Sequence, residues 1–256
     1  MSPPETDVTV IVPAYNEVRR IADTIGEIRT YFRSAGLSCQ VIVSADGDDG
    51  TRERAAEESQ PGDPIVVIGS AARGGKGRGI RGAVPLATGR IIGFVDADQK
   101  TPISEFDKVR RAFEGGADVV IGSRGLRDSQ IENPQPWYRR AGSRGFAVFM
   151  HTVVGLRSIP DTQFGSKFFR ADVARMLFAR QRIDGYMFDV EILYLADRLR
   201  YRIAQVPVRW RDDGDSRLNL MAGNLQNALD IFRIRFARDA DPAASAEPAL
   251  SDRAKS

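Results

Sequence analysis

The stretch Ile91-Ile92-Gly93-Phe94-Val95-Asp96-Ala97-Asp98 is an apolar, mostly aliphatic run that ends abruptly in two acids. A short apolar run bounded in this way predicts a strand buried on both faces. Similar runs lie on either side: Val8-Thr9-Val10-Ile11-Val12, Val41-Ile42-Val43, Ile65-Val66-Val67-Ile68 and Val119-Val120-Ile121. Between them the apolar residues take helical spacing, with Ile21, Ile25, Ile28 and Phe32 marking a helix over 18–32 and a second helix expected over 51–59. Alternating strands and helices predict an α/β fold, a single mostly parallel sheet flanked by helices.

From about residue 133 the pattern shifts to longer helical stretches, expected over 137–154, 172–178, 188–199 and 220–236, with one more strand over 203–208. The expected organisation is one domain over 1–238, its sheet-rich half at about 8–125 and its helical half at 126–238. Residues 239–256 are poor in large apolar side chains and are expected to form a disordered tail.

Composition narrows the chemistry. With 256 residues, 42% hydrophobic and 28% charged, the chain can bury one sizeable core. It contains no run of about 18 apolar residues, and its first residues lack the basic and apolar regions of a signal peptide. A cytoplasmic protein is the expectation. Cys39 and His151 are single examples of their kinds, so neither a disulfide nor a common zinc site is available, and any metal must be held by oxygen. A net charge of +3 fits nucleic acid, an anionic membrane or a phosphorylated ligand equally well.

In open α/β sheets ligands bind beyond the carboxyl ends of the strands, so the residues that follow each run carry the chemical reading. They are Pro13-Ala14-Tyr15-Asn16-Glu17, Asp46-Gly47-Asp48-Asp49-Gly50-Thr51, Asp96-Ala97-Asp98 and Gly122-Ser123-Arg124. Asp96 and Asp98 stand two apart at a strand end, which can place both carboxylates on one side of the backbone. That pair suits Mg²⁺ or Mn²⁺ with a substrate diphosphate completing the shell. Two solvated acids in a turn fit the tripeptide as well. The Asp46 turn reads both as a helix cap and as a partner for a nucleobase N–H.

Gly77 to Gly82 spells Gly-x-Gly-x-x-Gly, but eight residues separate it from Ile68, whereas a dinucleotide fingerprint follows its strand directly. Lys76 lacks the Ser or Thr of a phosphate-binding loop. The segment reads instead as a basic loop opening a helix, with Lys76 and Arg78 near phosphates. Arg124, Arg139, Arg140, Ser143 and Arg144, joined by Arg211 and Arg217 if the chain folds back, suggest a second anionic ligand.

In this order the motifs resemble the inverting glycosyltransferase family 2 with its GT-A fold, and within it the dolichyl- or polyprenyl-phosphate β-glucosyltransferase branch. The likeness runs from about Val8 to Leu220. It rests on residues 10–17, 45–51, Gly75-Lys76-Gly77, Asp96-Ala97-Asp98 and Gly122-Ser123-Arg124, and later on Asp161-Thr162-Gln163-Phe164-Gly165-Ser166-Lys167-Phe168-Phe169 and Phe188-Asp189-Val190-Glu191. The usual Asp-Asp-Gly-Ser element stands here as Ala45-Asp46-Gly47-Asp48, one residue shorter.

The resemblance implies a nucleotide-sugar donor, a lipid-phosphate acceptor and Mg²⁺ or Mn²⁺ at Asp96 and Asp98. Pro13, Tyr15, Glu17 and Asp46 would surround base and ribose, Lys76 and Asp96 the diphosphate, and Arg124, Arg139, Ser143 and Arg211 the acceptor phosphate. Asp98 and Asp189 are the catalytic candidates. A phosphate acceptor needs no strong base; a sugar hydroxyl would need one, and Asp189 or Glu191 could serve. Both also suit a helix N-terminal turn for purely structural reasons.

Phe146, Val148, Phe149, Val153 and Val154, together with Leu225, Ile231, Phe232, Ile234 and Phe236 among Arg233, Arg235 and Arg238, suggest peripheral membrane contact. Such stripes are more often core. A nucleotide- or RNA-binding module is the competing class, although it leaves Asp96 and Asp98 without a purpose, and no nucleic-acid partner is expected.

Overall fold

The computed structural model describes residues 6–132, 150, 152–211 and 224–236. Its elements alternate as expected: β1 (Thr6–Tyr15), α1 (Ile21–Ser34), β2 (Cys39–Asp46), α2 (Thr51–Glu57), β3 (Val66–Ile68), α3 (Lys76–Ala83), β4 (Gly89–Phe94), α4 (Phe106–Glu114) and β5 (Val119–Ser123). After these come β6 (Gln130–Glu132), β7 (Lys167–Arg170), α5 (Ala171–Arg180), α6 (Phe188–Arg198), β8 (Ile203–Pro207), β9 (Arg209–Arg211) and α7 (Asn224–Phe236).

Seven strands form the main sheet in the order β3-β2-β1-β4-β7-β5-β8, while β6 and β9 pair separately. Every neighbour in the main sheet is parallel except β7, which runs antiparallel to both β4 and β5. Alternation along the strands splits the core between two faces. Ile11, Ile42, Ile92, Phe94 and Phe169 share one cluster with apolar residues of α3, α5 and α6. Val10, Val12, Val41, Val43 and Phe168 pack against Ile21, Ile25, Ile28 and Phe32 of α1 and Phe106 of α4. All four α1 anchors are at most 2% exposed, the outcome expected of a helix that buries one stripe.

Two sequence expectations change in detail. The strand expected over 203–208 forms as β8, ending at Pro207, with an unforeseen short strand β9 after it, and the Gly-rich segment starts α3 at Lys76 itself. Gly75 has φ +103, and a side chain on it would overlap the Asp184 carbonyl. Arg78 N–H also donates to that carbonyl at 3.1 Å, so this glycine lets the N-terminus of α3 lie directly on the segment before α6. The run therefore serves close packing that brings Lys76 to the carboxyl edge of β4.

Candidate active site

The ends of β1 and β2 meet in register, Tyr15 beside Asp46 and Pro13 beside Ser44. Asp46 Oδ1 accepts from the Ser70 N–H at 3.2 Å and Oδ2 from the Gly74 N–H at 2.6 Å, which closes the loop between them. In that loop Arg73 lies 4.4 Å over the Tyr15 ring, with Nη2 3.3 Å from the Tyr186 hydroxyl. Arg52 Nη1 sits within reach of the carbonyls of Ala45, Gly47 and Ser70, at 3.2, 2.6 and 3.0 Å. The corner is therefore braced from below.

Glu17 joins the same corner, its N–H donating to Thr51 Oγ1 at 2.9 Å. Asp49 accepts from the N–H groups of Val18 and Thr51, both at 3.1 Å, and so fixes the start of α2. The capping role read from the Asp-Gly turn belongs to Asp49, while Asp46 organises the 70–74 loop.

At the end of β4, Val95 N–H still donates to the Ile11 carbonyl, at 3.1 Å, and the chain then turns through Asp96-Ala97-Asp98. Thr24 of α1 supports this turn by donating its hydroxyl to the Ala97 carbonyl at 2.9 Å. Gln99, at φ 53, carries the chain out of it. Lys76 Nζ meets Asp96 Oδ1 at 2.7 Å and lies 5.5 and 5.9 Å from the Phe94 and Phe188 ring centroids. Burial alone lowers the affinity of Lys76 for its proton, but the carboxylates of Asp96 and Asp189 outweigh it and leave Lys76 firmly cationic.

Asp98 pairs more loosely, 3.4 Å from Lys100 Nζ. Its carboxyl is held above the ordinary range, by burial first and by the Asp96 charge second, with Lys100 offsetting only part. The two acids thus share one field. A divalent cation suits such a pair.

Beyond β5, Arg124 donates through Nε and Nη2 to both oxygens of Asp161, at 2.8 and 2.9 Å, and through its backbone N–H at 3.0 Å. Burial raises the Asp161 carboxyl, yet these bonds from Arg124 more than reverse it and hold it below its usual range. The Arg124 guanidinium lies 5.1 Å over Trp210 of β9 and 5.6 Å over Phe164. Next to Trp210, Arg211 N–H donates to the Lys100 carbonyl at 3.0 Å, which ties β9 to the acidic turn. Arg139 and Ser143 lie outside the described residues, as do Arg140, Arg144 and Arg217.

Asp189 and Glu191 both fall on the first turn of α6. Glu191 accepts from the N–H groups of Arg182 and Ile183 at 2.9–3.1 Å, holding the turn before its own helix. Asp189 is 3% exposed and pairs with Lys167 at 2.7 Å. Asp161, Gly165 and Lys167 stand between the Asp96 and Arg124 centres, and sequence reasoning had given none of them a role. The stretch stands out in the sequence only through the family resemblance, because the partners that define each residue, Arg124 for Asp161, Asp96 for Gly165 and Asp189 for Lys167, lie far away along the chain.

The family model for glycosyl transferase family 2 matches residues 9–178, from the first strand through β7 into α5. The chain belongs to this glycosyltransferase family. It is 32% identical to the dolichyl-phosphate β-glucosyltransferase of Dictyostelium discoideum over 90% of this chain and 74% of that protein. The Drosophila melanogaster enzyme of the same name is also 32% identical, over 90% and 75%. Among solved structures, mannosyl-3-phosphoglycerate synthase from Rubrobacter xylanophilus superposes with a TM-score of 0.68 at 16% identity, covering 98% of this chain and 83% of that one. Glucosyl-3-phosphoglycerate synthase from Mycobacterium tuberculosis, crystallised with Mn²⁺, UDP and its product, gives 0.65 at 20% identity, covering 90% and 80%. At such identities these two structures speak to the GT-A fold alone.

For a glycosyltransferase the layout is informative. An anionic centre with a fixed lysine ends β4, an arginine ends β5, and only β7 runs between those strands. Two strand spacings, about 10 Å, separate the two. No group of three or more His, Cys, Asp or Glu side chains able to hold a metal occurs among the described residues. Two carboxylates with the remaining ligands drawn from phosphate and water is the donor set that Mg²⁺ and Mn²⁺ accept.

Proposed function

We propose that this glycosyltransferase moves glucose from UDP-glucose to a polyprenyl or dolichyl phosphate with inversion at the anomeric carbon. The observation that carries the reading is the separation of charge along one sheet edge, Asp96, Asp98 and Lys76 on one side of β7 and Arg124 on the other. The names of the 32%-identical relatives agree with it.

In this reading Pro13, Tyr15, Glu17 and Asp46 enclose the nucleoside, and Lys76 turns from Asp96 toward the diphosphate. Asp96 and Asp98 would hold Mg²⁺ or Mn²⁺, which when bound supplies positive charge beside the departing diphosphate. Arg124, with Arg139, Ser143 and Arg211, holds the acceptor phosphate. One phosphate oxygen attacks the anomeric carbon as the bond to the diphosphate oxygen breaks on the opposite side. The attacking oxygen is already anionic, so Asp189 has no proton to remove, and its partnership with Lys167 fits a supporting role.

The test follows UDP release and glucosylated lipid with UDP-glucose, a short polyprenyl phosphate and Mn²⁺. Arg124→Ala should raise the acceptor KM about tenfold, the worth of one charge-assisted contact, and leave the donor KM within about twofold. Transfer to soluble sugars with none to the lipid phosphate would instead point to a hydroxyl acceptor.

We further propose that α7 contributes to peripheral membrane contact. Ile231 and Ile234 turn into the core, which removes them from the apolar stripe expected to face lipid. Leu229, Phe232 and Phe236 are 46%, 44% and 68% exposed beside Arg233 and Arg235, a pattern suited to an anionic interface. No helix among the described residues is long and apolar enough to cross a membrane. Phe232→Ser with Phe236→Ser should reduce co-sedimentation with anionic liposomes about tenfold; unchanged binding would place the contact elsewhere.

A further inference from the structure

Lys167 opens β7, and its side chain is 0% exposed. Burying an ammonium costs several kcal/mol unless it is paired and hydrogen-bonded. Here Nζ donates to Asp189 Oδ1 at 2.7 Å and to the Phe164 carbonyl at 2.5 Å, with the Phe94 ring centroid 5.5 Å away. Desolvation pulls the Lys167 pKa down and pushes that of Asp189 up, and each shift is held back by the partner's charge. A well-packed apolar pair commonly serves stability as well as a buried ion pair does. The reason for a lysine therefore lies in what it holds.

It holds the loop over 161–166. Near one end of this loop Asp161 receives the three hydrogen bonds from Arg124, and the Phe164 ring lies beneath the guanidinium. Near the other end Gly165 rests against Asp96. A methyl built on Gly165 would overlap that carboxylate, whose farthest atom, Oδ1, is only 3.0 Å away. One short loop thus touches the carboxylate on the donor side and the arginine on the acceptor side. The carbonyl between those contacts is the one fastened to Lys167.

We propose that Lys167 is a positioning residue for transfer. With Asp189 as its buried counter-ion it fixes the 161–166 loop, and through the loop the spacing of Arg124 from Asp96. That spacing sets the approach of the acceptor oxygen to the anomeric carbon. The inference rests on the assignment of donor and acceptor sides given above. Loss of such alignment appears in rate more than in affinity, because displacement by about 1 Å costs on the order of 100-fold.

The experiment uses the full chain carrying Lys167→Met and Asp189→Leu together, so that no charge is left buried alone. With UDP-glucose, a short polyprenyl phosphate and Mn²⁺, kcat for transfer should fall about 30-fold, with KM for both substrates within about threefold. Hydrolysis of UDP-glucose, in which water needs no placement by Arg124, should fall about tenfold less than transfer. Transfer at the wild-type rate overturns the proposal. So does a parallel fall in transfer and hydrolysis, the sign of general structural damage.

If the double variant does not fold, Lys167→Gln with Asp189→Asn is read by the same ratio. This neutral pair removes both charges and shortens the reach toward the Phe164 carbonyl. A wild-type enzyme that transfers to no polyprenyl phosphate would remove the functional reading, and this inference with it; a transfer-to-hydrolysis ratio that does not move concerns Lys167 alone.

Discussion

Asp98→Asn is expected to keep the fold intact and to lower turnover about 1000-fold, the scale on which transition-state charge stabilisation is lost. Stability and function pull in opposite directions at this residue. The Asp98 carboxyl titrates above its ordinary range because burial and the neighbouring Asp96 disfavour its charge. A carboxyl whose folded-state pKa is raised stabilises the fold only while protonated, and that contribution is lost as pH rises through the raised pKa. Ionisation of Asp98 therefore costs stability, and the neutral amide removes the cost. Without metal, the Asn variant should melt at or slightly above the wild-type temperature at pH 7.5. Mn²⁺ binding followed by electron paramagnetic resonance should be lost, and UDP release should fall with it. Turnover within tenfold of wild type would remove Asp98 from the centre of the mechanism.

Gly165→Ala should lower transfer about 100-fold while shifting Tm by no more than a few degrees, since the displaced group is a partly exposed side chain and the expected loss is one of alignment. The added methyl meets the Asp96 carboxylate, which is 43% exposed and held at its far oxygen by Lys76. Such a side chain can swing aside cheaply. The price falls on the site, because a rotated Asp96 no longer faces the space shared with Asp98, and Lys76 must follow it or lose its partner. Circular-dichroism melting and steady-state kinetics on the same preparation separate the two effects. A variant that melts far below wild type would show that Gly165 serves packing instead, and one with normal kinetics would show that the Asp96 rotamer is not critical.

Much of the fold was legible because its signals are local. The apolar runs that became β1, β2, β4 and β5 are set by their own residues, and α1 appears through Ile21, Ile25, Ile28 and Phe32, whose spacing alone defines a buried stripe. Asp46, Asp96, Asp98 and Arg124 could be singled out for a similar reason, since a parallel sheet delivers the residues after each strand to one edge. The antiparallel β7 was not legible as a strand. Lys167-Phe168-Phe169-Arg170 is short, begins with a charge and is defined by the two strands it enters between. The apolar residues of α7 show the same limit, because spacing marks an amphipathic helix but does not say whether core or solvent receives each face.

The sequence by itself determined a parallel α/β sheet, a carboxyl edge bearing acids, a lysine and arginines, and membership of a glycosyltransferase family. Only the tertiary structure decided which partner each acid takes: Asp49 and Glu191 bind backbone N–H groups, Asp161 meets Arg124, and Asp189 meets a buried lysine. The physical reason is range. Strand and helix patterns depend on neighbours a few residues apart, whereas the state of a carboxylate depends on charges and burial contributed by segments tens of residues away. Lys167 meets Asp189 across 22 positions and Arg124 meets Asp161 across 37, distances over which only the folded chain brings charge to charge.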